Sequence, residues 1–284
     1  MSPIHDQSYR RYQGTRQPPG RGWTVILRAG IRSMLNRRLF LALLVLAWLP
    51  VVYRVIQLYG ATMTAAAPQL SDFLRVGPAT FKDFIQSQGL FVFFVTIYAG
   101  AGLIAGDRRA NALQIYLAKP LLRIEYIGGK LAILMTFLLL ITLVPAVLLL
   151  VLQASFAGNL DLLRANPQLV PAIFLACLIR VVVASCTMLA LSSLSNSTRY
   201  VAILYTGIIF FTQAIYGVLL VVTGSTRVAW VSLTANLDQV TAALFREPLA
   251  YETPVVVSAL VLVGLVVLSI SVLERRVRGV EIVA

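Results

Sequence analysis

Apolar residues gather into six long runs, at residues 39–58, 89–105, 131–153, 170–194, 200–223 and 254–273. Each is long enough to cross the hydrocarbon of a bilayer as a helix. Polar stretches separate them at 59–88, 106–130, 154–169 and 224–253, with a tight turn at 195–199. Pro50 and Pro145 fall inside the first and third runs and predict kinks, because proline lacks a backbone donor and clashes with the carbonyl four residues earlier. The pattern predicts an all-α integral membrane protein whose six-span domain occupies residues 39–273. Six crossings put both termini on one side.

The flanks read differently. Residues 1–21 are polar, basic and Pro/Gly-containing, which predicts a flexible tail. Over residues 22–38, beginning at Trp23, the apolar Val25, Ile26, Ile31, Met34 and Leu35 interleave with Arg28, Arg32, Arg37 and Arg38. That is a basic amphipathic helix lying in the interface with its arginines toward membrane-lipid headgroups, or else an extension of the first span. Residues 274–284 form a second tail. Within 224–253, Trp230, Leu233, Leu237, Val240 and Leu244 recur three and four apart and make a narrow apolar stripe. The helix it predicts lies on the outer leaflet or packs as a lid over the bundle.

The polar island at 106–130, GDRRANALQIYLAKPLLRIEYIGGK, holds seven charged residues in a chain that is 12% charged. Such a density excludes burial in the membrane. Leu113, Tyr116, Leu117 and Leu121 recur at helical spacing, and Pro120 breaks the pattern. A short amphipathic helix over 111–118, just beneath the bilayer, is the expectation, with Pro120 and Gly128-Gly129 delimiting it.

Composition agrees. The chain of 284 residues is 59% hydrophobic with mean hydropathy +0.85, more apolar surface than a soluble protein of this size needs. Its net charge of +13 follows from the membrane rather than from nucleic acid, for which no compact basic fold is available. Seventeen of the 24 Lys and Arg residues fall on the side of the termini and five on the other, with Arg54 and Arg180 inside spans. The positive-inside bias therefore orients both termini to the cytoplasm of a plasma-membrane protein.

No catalytic set emerges. The single histidine is His5, in the tail, which excludes histidine-based metal sites and nucleophile–base pairs. None of the six apolar runs contains Asp or Glu, so an ion-coupled transporter lacks its expected carboxylate. Gly128-Gly129-Lys130 lacks the first glycine and final hydroxyl of a phosphate loop. Gly100-x-Gly102-xxx-Gly106 ends a span with no strand before it, so Gly102 and Gly106 are read as a small-residue face for helix packing. Cys177 and Cys186 face opposite sides of one helix and cannot pair.

Two charges lie inside spans. Arg54 is about 24 Å along the first helix and snorkels to the far surface. Arg180 lies about 10–15 Å below the end of the fourth span, where a charge needs water, protein or an anion. It either lines a pathway or is a satisfied structural arginine. The hydroxyls of Ser192, Ser193, Ser195 and Ser197 are read as groups for local capping and helix contact.

The residues of the polar island, taken together, resemble the permease subunits of type-2 ABC (ATP-binding cassette) exporters. The resemblance rests on Asp107-Arg108-Arg109 after a glycine-rich span end, Ala112-Leu113, Lys119-Pro120, Arg123, Tyr126 and the closing Gly128-Gly129-Lys130. It extends to the basic helix before the first span, the Ser-Ser-Leu run ending the fourth, and the six-span layout. Asn111 stands where many members have glycine, and Arg109 where many have glutamate. The resemblance implies a coupling helix between spans two and three that fits a cleft on a cytoplasmic ATPase, with Asp107, Arg108, Arg109, Asn111, Leu113, Tyr116, Leu117, Lys119, Pro120 and Arg123 as its ATPase-coupling residues. The interfacial helix, with Trp23, Arg28 and Arg32, would also touch the ATPase.

That architecture implies two ATPase subunits and a second copy of this permease or a related one. ATP and magnesium would be used by the partner subunit, with no cofactor bound by this chain. The function expected is export driven by a separate ATPase; the alternative is a non-transporting scaffold that transmits ATPase motion across the membrane. Apolar span faces fit a lipid, a hydrophobic drug or a peptide, and Arg180 favours something anionic.

Overall fold

A computed structural model describes residues 22–63, 76–112 and 122–277. Six helices in it are long and apolar enough to cross a membrane: Arg38–Ala61, Pro78–Arg109, Arg123–Ala157, Leu169–Leu194, Thr198–Thr223 and Val255–Arg276. No strand occurs among the described residues, and the architecture is the all-α membrane fold that the pattern predicts.

The helices run past the apolar runs, because backbone hydrogen bonding continues where side chains turn polar if the ends are capped. The second span begins at Pro78 rather than residue 89: Pro78 opens the helix Pro78–Ser87, and the Gly77 N–H donates to Thr80 Oγ1 at 3.2 Å. Phe81, Phe84 and Ile85 then bury one face against the third and fourth spans. The third span begins at Arg123, where the Leu122 N–H donates to Glu125 Oε2 at 3.2 Å. Asp83, Asp107, Glu125 and Glu274 therefore sit on the polar extensions of these helices, while the apolar runs themselves hold no Asp or Glu. Gly128 and Gly129 delimit nothing, since the helix is continuous through both.

The two prolines behave differently. The first span breaks at Ala47-Trp48 and restarts at Leu49, so Pro50 sits in a first turn, where a missing N–H costs little. The third span runs unbroken through Pro145. A further interruption comes in the second span, where a π-helical turn at Thr96–Gly100 gives way to a non-helical stretch before Ala105–Arg109. Gly100 lies there against two neighbours. A Cβ on it would come 2.5 Å from Met188 and 3.0 Å from Leu134, so at this level the second span approaches the third and fourth this closely because the residue has no side chain.

The fourth span is the centre of the bundle: 61% of its apolar window is buried, against 6% for the fifth. The basic helix Gly22–Leu35 is a separate element, since Arg37 is extended and divides it from Arg38. It packs on the third span through Ile26, Gly30 and Ile31 and leaves Trp23, Arg28 and Arg32 exposed. A Cβ on Gly129 would stand 3.0 Å from Ile26 and 3.2 Å from the Trp23 carbonyl oxygen. Gly129 is thus the seat of the N-terminal helix.

At the opposite end, Leu233–Leu244 forms a helix capped by Ser232 Oγ, which accepts from the Ala235 N–H at 3.2 Å. Of the two arrangements the stripe allowed, the observed one is a lid packed on the fourth and sixth spans, with Leu233, Leu237, Val183 and Leu262 in one cluster. Trp230 lies outside this helix, exposed in the 3-10 turn Thr226–Val231. Gln239 Nε2 donates to the carbonyls of Tyr251 and Thr253, at 2.8 and 2.7 Å, and so pins the returning strap to the lid helix.

Candidate functional site

At the end of the bundle that carries the N-terminal helix, the second and third spans converge on Asp107. Lys130 Nζ lies 2.7 Å from Asp107 Oδ2, and the Tyr126 hydroxyl donates to the same oxygen at 2.7 Å. Tyr126 and Lys130 are four residues apart on one helix face, and the ammonium sits 5.5 Å from the ring centroid. Both are buried, so the pair is shielded from the screening that weakens surface ion pairs. The clasp closes the base of the polar segment by joining its outgoing and returning ends.

The same end is fastened to the fourth span. Where the second span restarts, the N–H groups of Ile104 and Ala105 have no helical partner of their own. Ser192 Oγ accepts from both, at 3.1 and 3.0 Å, and donates to the Ala101 carbonyl at 2.9 Å. One buried hydroxyl thereby uses both lone pairs and its proton. Of the two roles expected of this serine, local capping and helix contact, the observed one is contact with another helix, some ninety residues away in sequence. Arg108 donates to the Ser193 carbonyl, placing a cation at the negative C-terminal end of the fourth span.

Arg180 lies in a separate cluster toward the far end. Its Nη2 stands 3.1 Å from Asp238 Oδ1 of the lid helix, and its side chain is only 6% exposed. Gly89 makes room for it: a Cβ there would lie 2.8 Å from Arg180 Nη1. Burial raises the Asp238 pKa, against the lowering effects of Arg180, Lys82 and Gln86. The sequence offered no signal for this partner, because Asp238 is 58 residues away and outside every apolar run.

A family model described as ABC-2 family transporter protein matches residues 24–276. The chain belongs to the ABC-2 transporter family. A search among curated proteins finds no match. Membership makes it a multi-pass membrane protein and the permease component of an ABC transporter. ABC-2 permeases carry no nucleotide-binding domain of their own and normally work with an ATPase subunit.

Within this permease, the residues singled out from sequence separate into groups. Asp107 and Arg108 turn inward to the clasp and the fourth span, whereas Arg109 and Arg123 are exposed. Asn111 is exposed at φ 53°, just past the helix Ala105–Arg109, so it ends that helix in the left-handed region rather than opening the next one. Asparagine tolerates that conformation better than any residue but glycine, which accounts for its standing where relatives of the resembled family have glycine. Leu113, Tyr116, Leu117, Lys119 and Pro120 lie outside the described residues. A Cβ on Gly102 would lie 3.5 Å from Thr198 of the fifth span, whereas one on Gly106 would meet no described atom within 4 Å, so the expected packing face is present at Gly102 alone of the two.

Proposed function

We propose that this ABC-2 permease couples ATP hydrolysis by a separate cytoplasmic ATPase to the export of a substrate across the plasma membrane. The observation that carries the reading is the clasp of Asp107, Lys130 and Tyr126, together with the Ser192 and Arg108 ties. A push on the segment between residues 112 and 122 is delivered through it to the second, third and fourth spans as one unit. The distribution of Lys and Arg supports a cytoplasmic location for that segment and both termini. A working transporter then comprises two permeases, this chain with a second copy or a relative, and two ATPase subunits that bind the ATP and magnesium. Among the described residues flanking the segment, Arg109 and Arg123 are exposed charges that an ATPase surface would meet.

The test is co-purification with the ATPase encoded beside it, followed by ATP-driven translocation in proteoliposomes. Arg109→Glu with Arg123→Glu is expected to weaken association and to lower permease-stimulated ATP turnover. Unchanged association and turnover would overturn the coupling assignment. Intact association with no ATP-driven movement of any substrate would instead favour a scaffold that transmits motion without transport.

A further inference from the structure

Between the second, fourth and fifth spans and the lid helix lies a cavity of about 270 Å³. Its walls are apolar and aromatic, with Phe93, Tyr205 and Phe210 forming a contiguous aromatic side: Phe93 stacks with Tyr205 at 6.0 Å and meets Phe210 edge-on at 5.8 Å. Leu90 and Phe210, at the rim, are 60% and 62% exposed on the outside of the bundle, so the cavity opens sideways toward lipid tails. Its polar end is the Arg180–Asp238 pair, with Gln86 beside the carboxylate.

The pair has unused hydrogen-bonding capacity and no unused charge. Arg180 Nε is buried without a partner among the described residues. The Asp238 side chain is 30% exposed. Lys82, the next cation, is 3.6 Å from Asp83. Among the described residues, one cation and one anion therefore balance at the polar end, in surroundings where an extra unpaired charge is costly. An anionic head would have to displace Asp238 from Arg180, and a cationic head would have to displace Arg180 from Asp238. A head with no net charge displaces neither: its acceptor sits against the Arg180 guanidinium that lines the cavity, and its donor meets the exposed part of the Asp238 carboxylate. Pairing with Asp238 weighs against the anion that Arg180 alone would favour.

We propose that this cavity binds a single amphiphile of zero net charge, zwitterionic or neutral, with its tail along the aromatic wall and a donor–acceptor head on Arg180 and Asp238. Binding stands on the cavity alone; that the amphiphile is the exported cargo rests on the function proposed above.

The experiment compares three single-chain probes of equal chain length, by native mass spectrometry of the purified full chain: a lysophosphatidylethanolamine, a lysophosphatidylglycerol and an alkylammonium. The expected result is at least tenfold tighter retention of the zwitterionic probe than of either charged one. Asp238→Asn, which leaves Arg180 without its anion, is expected to shift the preference to the anionic lysophosphatidylglycerol. Leu90→Trp narrows the rim without touching the charges and is expected to weaken the zwitterionic probe at least fivefold. Equal retention of all three probes overturns the proposal, as does an unchanged preference in Asp238→Asn or unchanged binding in Leu90→Trp. No ATPase or ATP enters this assay. Selective binding without ATP-driven export removes the transport reading and leaves the site; export without selective binding does the reverse.

Discussion

Lys130 and Asp107, from two different spans, stand 2.7 Å apart at the base of a polar segment, and the Tyr126 hydroxyl shares the same carboxylate oxygen. This ion pair is largely buried, and breaking it from one side leaves the other charge without its partner. Its value to a permease is mechanical: the two ends of the segment cannot move independently while it holds.

Lys130→Met is therefore expected to leave ATPase association near its original level while lowering ATP-driven transport at least tenfold. The measurement is a pull-down beside proteoliposome flux. Asp107→Asn combined with Lys130→Met is expected to be less damaging to thermal stability than the two single effects added, because the second substitution removes a charge already stranded by the first. Strict additivity would show that the pair does not interact.

Ser192 and Ser193 are adjacent and differ sharply in what depends on their hydroxyls. Ser192→Ala strands the buried N–H groups of Ile104 and Ala105, at about 1–3 kcal/mol for each donor. Ser193 Oγ donates only to Ala190 of its own helix, and Arg108 uses the Ser193 carbonyl, which any residue retains. Thermal unfolding in micelles is expected to show a large loss for Ser192→Ala and a small one for Ser193→Ala. Equal losses would refute the role given to Ser192.

Gly128 and Gly129 offer a similar contrast. A Cβ at Gly128 meets nothing within 4 Å, and replacing an unconstrained helical glycine by alanine gains up to about 1 kcal/mol. Gly129→Val pushes on Ile26 and on the Trp23 carbonyl. Limited proteolysis is expected to release the N-terminal helix faster in Gly129→Val and no faster in Gly128→Ala. Identical cleavage rates would mean that the helix is not seated on Gly129.

Asp238 carries a pH dependence. Its folded-state pKa is raised above the ordinary 3.8, chiefly by burial, so the fold favours the protonated carboxyl. The stability this adds is fully present below about pH 3.8 and is lost as pH rises through the raised value. Arg180, Lys82, Gln86 and Tyr251 are the groups acting on or coupled to it. Asp238→Asn, a neutral isostere of the protonated acid, is expected to flatten that part of the thermal-stability profile. A slope unchanged from wild type would place the titration elsewhere.

Much of this molecule is legible along the chain because a bilayer imposes a one-dimensional rule: a segment that crosses hydrocarbon must be apolar and must satisfy its own backbone, so length and hydropathy alone determine six helices. The basic amphipathic helix and the stripe of Leu233, Leu237, Val240 and Leu244 were readable for the same reason, since a helix of period 3.6 that packs on one side repeats its apolar residues. The polar island was found by its charge.

What the tertiary structure alone decided is how polar groups meet. Asp107 reaches Lys130, Ser192 serves the backbone of the second span, and Arg180 reaches Asp238 across 58 residues. None of these partners has a periodic signature, because a hydrogen bond or ion pair between helices depends on distance in space and leaves the sequence between its members free to vary. The glycines show the same limit. Gly106 fitted a packing motif, yet a Cβ there would meet no described atom within 4 Å, whereas Gly100 and Gly129, which fitted none, are where helices close on one another. Spacing along one helix says which face a residue shares; only packing says whether another helix arrives there.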